Sequence, residues 1–290
     1  MIATYQQAHP ETELAGLCRA LRISRSWWYA RAAQAPDSAQ EGTLRDAIER
    51  LILQFSGYGY RRVTKQLQRE GFAVNHKRVL RIMREEGLLC RLRHDFVRTT
   101  HSQHAHKRYP NLLQGRLLTA RDQAWVADIT YIRLPSRFCF LAAILDAFSR
   151  VCVGWHLGSD IDTRLTLAAL EMALSKRHPN PGLIHHSDQG VQYAASEYVS
   201  RLEQVGARLS MARTGTPYEN AQAESFFKTL KQEEVYVNAY QHVADAKTHI
   251  GPFLEEVYNT KRLHSSLGYL PPAEFEARQA AASTHLPAET

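Results

Sequence analysis

The chain has 290 residues, and no window approaches the ~18 consecutive apolar residues that a membrane helix needs. Its opening stretch, MIATYQQAHPETEL, has no basic-then-apolar leader pattern, which makes the cytosol the expected compartment. Cysteine is scarce. Cys18, Cys90, Cys139 and Cys152 are scattered with no Cys-x-x-Cys pair, which argues against a zinc ribbon or a disulfide framework. Cys139 lies between Phe138 and Phe140, and Cys152 between Val151 and Val153, so buried free thiols are expected. His101, His104 and His106 are close together, but no carboxylate or thiol pattern completes a metal site around them. Internal repeats and low-complexity segments are absent as well.

Positive charge is present, and it is concentrated. Residues 57–116 hold fourteen Lys/Arg against four Asp/Glu, a local charge of +10 in a chain whose net charge is +7. The remainder is therefore net acidic. A basic block that outweighs the whole molecule is the footprint of phosphate-backbone contact, although a solvated helical surface has the same composition.

The hydrophobic pattern divides the chain in two. Residues 12–32 read as two short helices, with Leu14, Leu17 and Leu21 at helical spacing and Ser24 as a cap before Trp27, Trp28 and Tyr29. This is either a small helix-turn-helix or a hydrophobic hairpin, and Ala35–Ser38 reads as a linker after it. Leu44, Ile48, Leu51, Ile52 and Phe55 form an amphipathic stripe. Two helices follow it, one through Val63 and Leu67 to Gly71 and one capped by Asn75 and ending at Gly87. Their short connection predicts a helix-turn-helix whose second helix presents His76, Lys77, Arg78, Arg81 and Arg84. Residues 91–116 read as an extended basic linker that tracks DNA.

From Gln123 onward the texture is that of strands. Runs at 125–132, 138–145 and 151–157 predict an antiparallel meander. A helix at about 162–177, a strand at 183–186, a helix at about 195–205, a strand at 207–211 and a helix from near Glu219 complete the order. Three adjacent strands followed by αβαβα predict an α/β fold: a ribonuclease H-like mixed five-stranded sheet with flanking helices, preceded by a small all-α helix-turn-helix region.

Three acids stand out in this frame. Asp128 sits inside an apolar strand, where a charge is costly unless it is paired or bound to a metal. Asp188 falls at the carboxyl end of a short strand. Glu224 lies in the first turns of a helix, with 35 residues between it and Asp188. Carboxylates brought together repel one another, divalent cations relieve that repulsion, and oxygen-only ligands select Mg²⁺ or Mn²⁺. Lys228 and Lys231 follow Glu224 by four and seven residues, on one helical face. Such a stripe can hold an ion and the neighbouring phosphates together, and an ordinary Glu–Lys surface pair remains the other reading of Lys228.

These segments resemble a known family. Trp125-x-x-Asp128-Ile129-Thr130-Tyr131, His186-Ser187-Asp188-Gln189-Gly190-Val191-Gln192-Tyr193 and Pro217-Tyr218-Glu219-Asn220-Ala221-x-x-Glu224 followed by Lys231 are similar to the three acidic motifs of insertion-sequence transposases with a retroviral integrase catalytic core. Tyr258-Asn259-x-x-Arg262-x-His264-Ser265-Ser266-Leu267-Gly268-Tyr269 resembles the segment beyond that core. Tyr58–Arg62 and Val74–Val79 resemble the helix-turn-helix before it. The likeness covers roughly residues 12–278 and is to the second-reading-frame product of the insertion-sequence-three family. Glu219 stands where aspartate is usual, Gln189 where a basic residue is common, and Pro272 follows Pro271 where one proline is usual; none of these touches the acids. The zinc-binding module of retroviral integrases is absent.

The resemblance implies metal-dependent phosphodiester cleavage and strand transfer at element ends, with Asp128, Asp188 and Glu224 as catalytic ligands of two Mg²⁺ or Mn²⁺ ions. The DNA contacts expected beside them are Lys231, Lys228, Gln192, Tyr193 and Asn220. Arg61, Arg62, Lys77, Arg78 and Arg81 are the contacts expected on the helix-turn-helix, with Arg262 and His264 beyond the core. The expected partners are double-stranded DNA at element ends and target, a second copy in a homodimer or higher oligomer, and the upstream-frame DNA-binding product; no membrane is expected. The expected location is the bacterial cytoplasm, at the nucleoid. The expected domains are a helical segment at 1–40, the helix-turn-helix domain at 41–95, a basic linker at 96–120, the catalytic core at 121–257 and a C-terminal extension at 258–290. A ribonuclease H-type nuclease without strand joining and a non-catalytic helix-turn-helix regulator are the alternatives.

Overall fold

The computed structural model describes residues 14–16, 24–26, 38–90, 108–213 and 216–284. Most of the expected 12–32 helix pair, the 101–106 histidines and most of the basic linker lie outside the described residues. By its contacts the chain divides into two units, Met1–Arg50 and Leu51–Thr290. Among the described residues, no helix is long and apolar enough to cross a membrane.

Helix α1 (Ser38–Gln54) carries the expected stripe, with Leu44, Ile48 and Leu51 buried. Helices α2 (Tyr60–Arg69) and α3 (His76–Glu85) form the helix-turn-helix around Val63, Leu67, Val79, Ile82 and Met83, all buried. The Asn75 side chain caps α3 by accepting from the Arg78 N–H at 3.0 Å, which satisfies one of the donors a helix start leaves open. Gln68 donates to the Val74 carbonyl at 2.9 Å and fixes the turn between the helices.

The second unit contains one five-stranded sheet. Its strands are β1 (Ala124–Arg133), β2 (Phe138–Asp146), β3 (Cys152–Gly158), β4 (Ile184–Ser187) and β5 (Arg208–Met211), ordered β3-β2-β1-β4-β5. The first three pair antiparallel as the meander predicts, whereas β4 lies parallel to both β1 and β5. Helices α4 (Thr163–Arg177) and α5 (Ser196–Gln204) supply the crossovers. This is the ribonuclease H-like topology.

Alternation along β1 gives each face its own core. Trp125 and Ala127 join Leu165, Ala169, Leu170, Tyr198 and Leu202 from α4 and α5. Val126 and Ile132 join the other face, covered by helix α6 (Ala221–Glu233), helix α7 (Val243–Pro252) and the π-helix Phe253–Tyr258, through Phe226, Leu230, Ile250 and Leu254. Asp128 has the parity of Val126 and Ile132, which aims it at the α6 side.

Two segments differ from the sequence expectation. The end of the expected linker is not simply extended: Leu112, Leu113 and Leu118 pack on the α6-side core, and the Leu112 N–H donates to Ser210 Oγ at 2.8 Å. Three leucines in a basic stretch gain more by burial than by following a phosphate backbone. The expected C-terminal extension is tied to the rest. In helix α8 (Pro272–Thr284), Glu276 pairs with Arg177 at 2.7 Å and Glu274 with Arg69 of α2 at 2.6 Å. Cys139 and Cys152 are buried free thiols, as expected.

Candidate active site

The sheet brings the first two acids together by register. Parallel pairing sets Val126 opposite His186. Continuing that register two residues along each strand sets Asp188 beside Asp128. Asp128 is half-buried between Ala127 and Thr130 and accepts the Ile129 N–H at 2.8 Å. Its carboxyl is held well above the usual carboxylate range, first by burial, then by the charges of Asp188 and Glu224, against the Ile129 N–H and Lys231. The three acids therefore act on one another through space, with Glu224 exposed at the start of α6.

Asp188 is held by its own loop. Its Oδ1 accepts the Gly190 N–H at 2.9 Å, and a Cβ at Gly190 would stand 2.9 Å from that same oxygen and 3.1 Å from Gln192 Oε1. A side chain at position 190 would push the carboxylate out of this position.

A buried polar chain sets Glu224 relative to Asp188. His186 is fully buried, with Nδ1 2.8 Å from Ser210 Oγ and Nε2 3.1 Å from the Glu219 carbonyl. A carbonyl only accepts, so Nε2 carries the proton and the Ser210 hydroxyl donates to Nδ1. Burial pushes the His186 pKa down, consistent with that neutral tautomer. The chain ties β4 and β5 to the 3₁₀ turn Pro217–Asn220 from which α6 departs. Glu219 is held in turn by Arg213, whose backbone N–H donates at 2.7 Å and whose side chain pairs at 2.8 Å; the Arg213 N–H first of all brings the Glu219 pKa down to about 2. The sequence motifs contain His186 and Glu219 but do not reveal this link, because Ser210 comes from a separate strand.

On the opposite face His185 accepts from or donates to Tyr198 Oη at 2.9 Å, and burial brings its pKa down to about 3. The unfolded chain protonates this residue near pH 6.5 and the folded chain only near 3, so between those values the unfolded state binds the extra proton. Stability must fall as the pH drops through that window, by about 1.4 kcal/mol per pH unit from this residue. Urea unfolding at pH 7 and pH 5 should show wild type losing about 2 kcal/mol more than His185→Gln. Equal losses would mean that the folded protein already carries the charge.

The expected DNA contacts separate into two groups. Lys231 is half-buried, with its ammonium 4.2 Å from the Tyr131 ring centroid; burial pushes its pKa down and the Asp128 charge opposes that shift. Lys228 is exposed one turn before it, and Gln192 reaches the Ile161 carbonyl at 3.3 Å. Arg61, Lys77 and Arg81 are exposed and Arg78 is half-buried, all on α2 and α3.

Several of the other expectations are corrected. Arg262 is 2% exposed and forms a bidentate pair with Glu233, both bonds at 2.8 Å, which leaves its guanidinium unable to meet a phosphate. His264 turns its ring edge-on to Tyr258, and burial followed by the charge of Arg262 brings its pKa down to about 2; its Nε2 is buried and therefore closed to DNA. Arg62 lies half-buried over the Tyr58 ring. Tyr193 is buried against His185 and Tyr198, and Asn220 is buried at the start of α6, so neither side chain reaches a surface strand.

The oxygen-only donor set and the raised carboxyl of Asp128 suit a hard divalent cation, whose charge would relieve the crowding of the acids. The Tyr193 hydroxyl is buried with no hydrogen-bond partner among the described residues and lies within the electrostatic reach of both Asp128 and Asp188. Among the described residues, however, no three His, Cys, Asp or Glu already form a closed metal cage.

Family models match almost the whole described chain. An HTH-like domain matches residues 39–96, and two Integrase core domain models match 119–217 and 205–272. The Transposase for insertion sequence element IS904 of Lactococcus lactis is 40% identical over 80% of this chain and 93% of its own length. The Transposase InsF for insertion sequence IS3A of Escherichia coli is 30% identical over 93% and 96%. Among solved structures, the catalytic core domain of BIV integrase aligns with a TM-score of 0.44 at 14% identity, over 57% of this chain and 99% of that one.

Proposed function

The chain belongs to the IS3-family transposases of insertion sequences, and from that premise we propose that Asp128, Asp188 and Glu224 hold two divalent cations and carry out both the cutting and the joining of DNA. The observation that carries this reading is the convergence of the three acids: Asp128 is buried, and with that burial the nearby charges of Asp188 and Glu224 hold its carboxyl well above the usual range.

When bound, Mg²⁺ or Mn²⁺ would neutralise the acids and polarise the phosphodiester for in-line attack. In the first step the oxygen of water bonds to phosphorus, the bond to the 3′ oxygen breaks, and that oxygen leaves as a hydroxyl. In the second step this 3′ hydroxyl attacks another phosphodiester, one P–O bond forms as one breaks, and no external energy is needed. Asp128 lies in β1 and Asp188 directly follows the parallel β4, so the sheet register sets where the loop carrying Asp188 begins. Glu224 approaches from α6, whose start is held by the His186–Glu219 link. Lys231, two turns along the same helix, presents its ammonium to the phosphates beside the acids.

Duplex DNA is the partner of the helix-turn-helix, with Lys77 and Arg81 of α3 and Arg61 of α2 on phosphates or base edges. Residues 41–95 act as the DNA-binding domain and 121–257 as the catalytic core. Bringing two element ends together requires at least a homodimer, and the upstream-frame product is a further partner. These activities belong in the bacterial cytoplasm, at the nucleoid.

The test is to incubate the protein with labelled duplexes ending in the terminal repeats of its element, in Mg²⁺ or Mn²⁺. Joined products support the transposase mechanism. Nicks without joined products would point to a nuclease instead.

A further inference from the structure

We propose that the tip of the β1–β2 hairpin is a binding surface for unpaired DNA next to the acids, where Tyr131 and Phe138 stack a base splayed from the duplex and Arg133 and Arg137 hold the flanking phosphates. The inference rests on the transposase reading for the identity of the strand, and it assigns a role to four residues outside the acidic site.

Phe138 is 47% exposed, although it opens a strand whose remaining residues are mostly buried. It pairs in register with Arg133, and its ring meets the half-exposed Tyr131 edge-on, with centroids 5.4 Å apart at 86°. The other side of this aromatic pair is charged: Lys231 Nζ lies 4.2 Å from the Tyr131 centroid, and the same ammonium acts on Asp128. One cation therefore links the aromatic rim to the acids.

The turn adds two more cations. The Leu134 N–H donates to the Arg137 carbonyl at 2.8 Å, which folds Arg133 and Arg137 to either side of a short loop. Both are exposed, and neither forms an ion pair among the described residues, unlike Arg81, Arg164 and Arg201, which are paired with Glu85, Asp162 and Glu171. Unpaired arginines around exposed aromatic rings are the chemistry that binds single strands: phosphates meet guanidinium groups, and base faces meet rings. A closed duplex hides its base faces in the stack and cannot use the rings. A strand opened at the point of cutting exposes them.

The test uses the full-length protein in chelator, so that the readout is binding and does not depend on whether the acids cut. The probes are a blunt duplex and the same duplex with a frayed end carrying 2-aminopurine. Wild type should bind the frayed duplex more tightly and change its 2-aminopurine fluorescence. Phe138→Ala should lose about five- to a hundredfold of affinity for the frayed duplex and little for the blunt one, and Phe138→Trp should restore the difference. Arg133→Glu with Arg137→Glu should weaken frayed binding and reduce its salt slope by about 1.4, at about 0.7 per phosphate contact on a single strand. Unchanged fluorescence and preference in Phe138→Ala, or equal losses on both duplexes, would overturn the proposal. Neither result would bear on whether Asp128, Asp188 and Glu224 cut DNA, so the two readings can fail separately.

Discussion

Asp188→Asn should abolish both nicking and joining of element-end DNA, by about a thousandfold or more, while duplex binding stays near wild type. Asp128→Asn and Glu224→Gln should do the same. Each replacement keeps the size and removes the charge, so the fold has little reason to suffer. Asp128 in particular has its charged form disfavoured by burial and by two neighbouring acids, so an amide in its place relieves repulsion and should not destabilise the protein. A variant that loses activity but gains stability is the signature expected of a metal ligand, because crowded carboxylates are strained unless a cation neutralises them. Cleavage assays and urea unfolding on the same samples check both halves. Undiminished cutting by any one of the three variants would remove that residue from the site.

The second large effect is expected at the other end of α6. Arg262→Ala should cost about 3–5 kcal/mol of stability, because it leaves Glu233 charged, buried and alone. The pair sits at a joint. A Cβ at Gly57 would run into the Glu233 side chain, the Leu263 N–H donates to Tyr58 Oη at 2.7 Å, and Arg62 lies over the Tyr58 ring. The segment leading into the helix-turn-helix is thus anchored to the helix whose first turn carries Glu224, roughly 14 Å along the axis from Glu233 at 1.5 Å per residue. Replacing both partners, as in Glu233→Leu with Arg262→Met, should recover most of the loss, since two apolar groups leave no charge stranded. Urea titrations of the single and double variants test this. A stable Arg262→Ala protein with weakened DNA affinity would return Arg262 to the DNA surface, as its place in the sequence motif implies.

Much of this was legible in the order of residues. The meander, the αβαβα sequence, the Asn75 cap and the paired helices follow from periodicity and capping chemistry, which act over a few residues. The three acids stand out as candidates in the same way, because a charge in an apolar strand and a fixed spacing to a helical glutamate are local patterns. Arg262 and His264 were not readable in the same way. They share a motif with surface residues, and only the packing of α6 against the returning chain puts them inside. Tyr131 and Phe138 look like ordinary strand residues, and it is the hairpin register that joins them at an edge and sets Lys231 beside them.

By itself the sequence determined the elements and the basic block and singled out the three candidate acids, since each depends on residues near one another along the chain. The tertiary structure decided which basic residues remain free to meet DNA. That depends on which carboxylate reaches each of them first: Glu233 reaches Arg262, Glu274 reaches Arg69, and none of the described carboxylates reaches Arg133 or Arg137. An ion pair formed across 29 or 205 positions is a property of the folded chain, and no reading of neighbours can supply it.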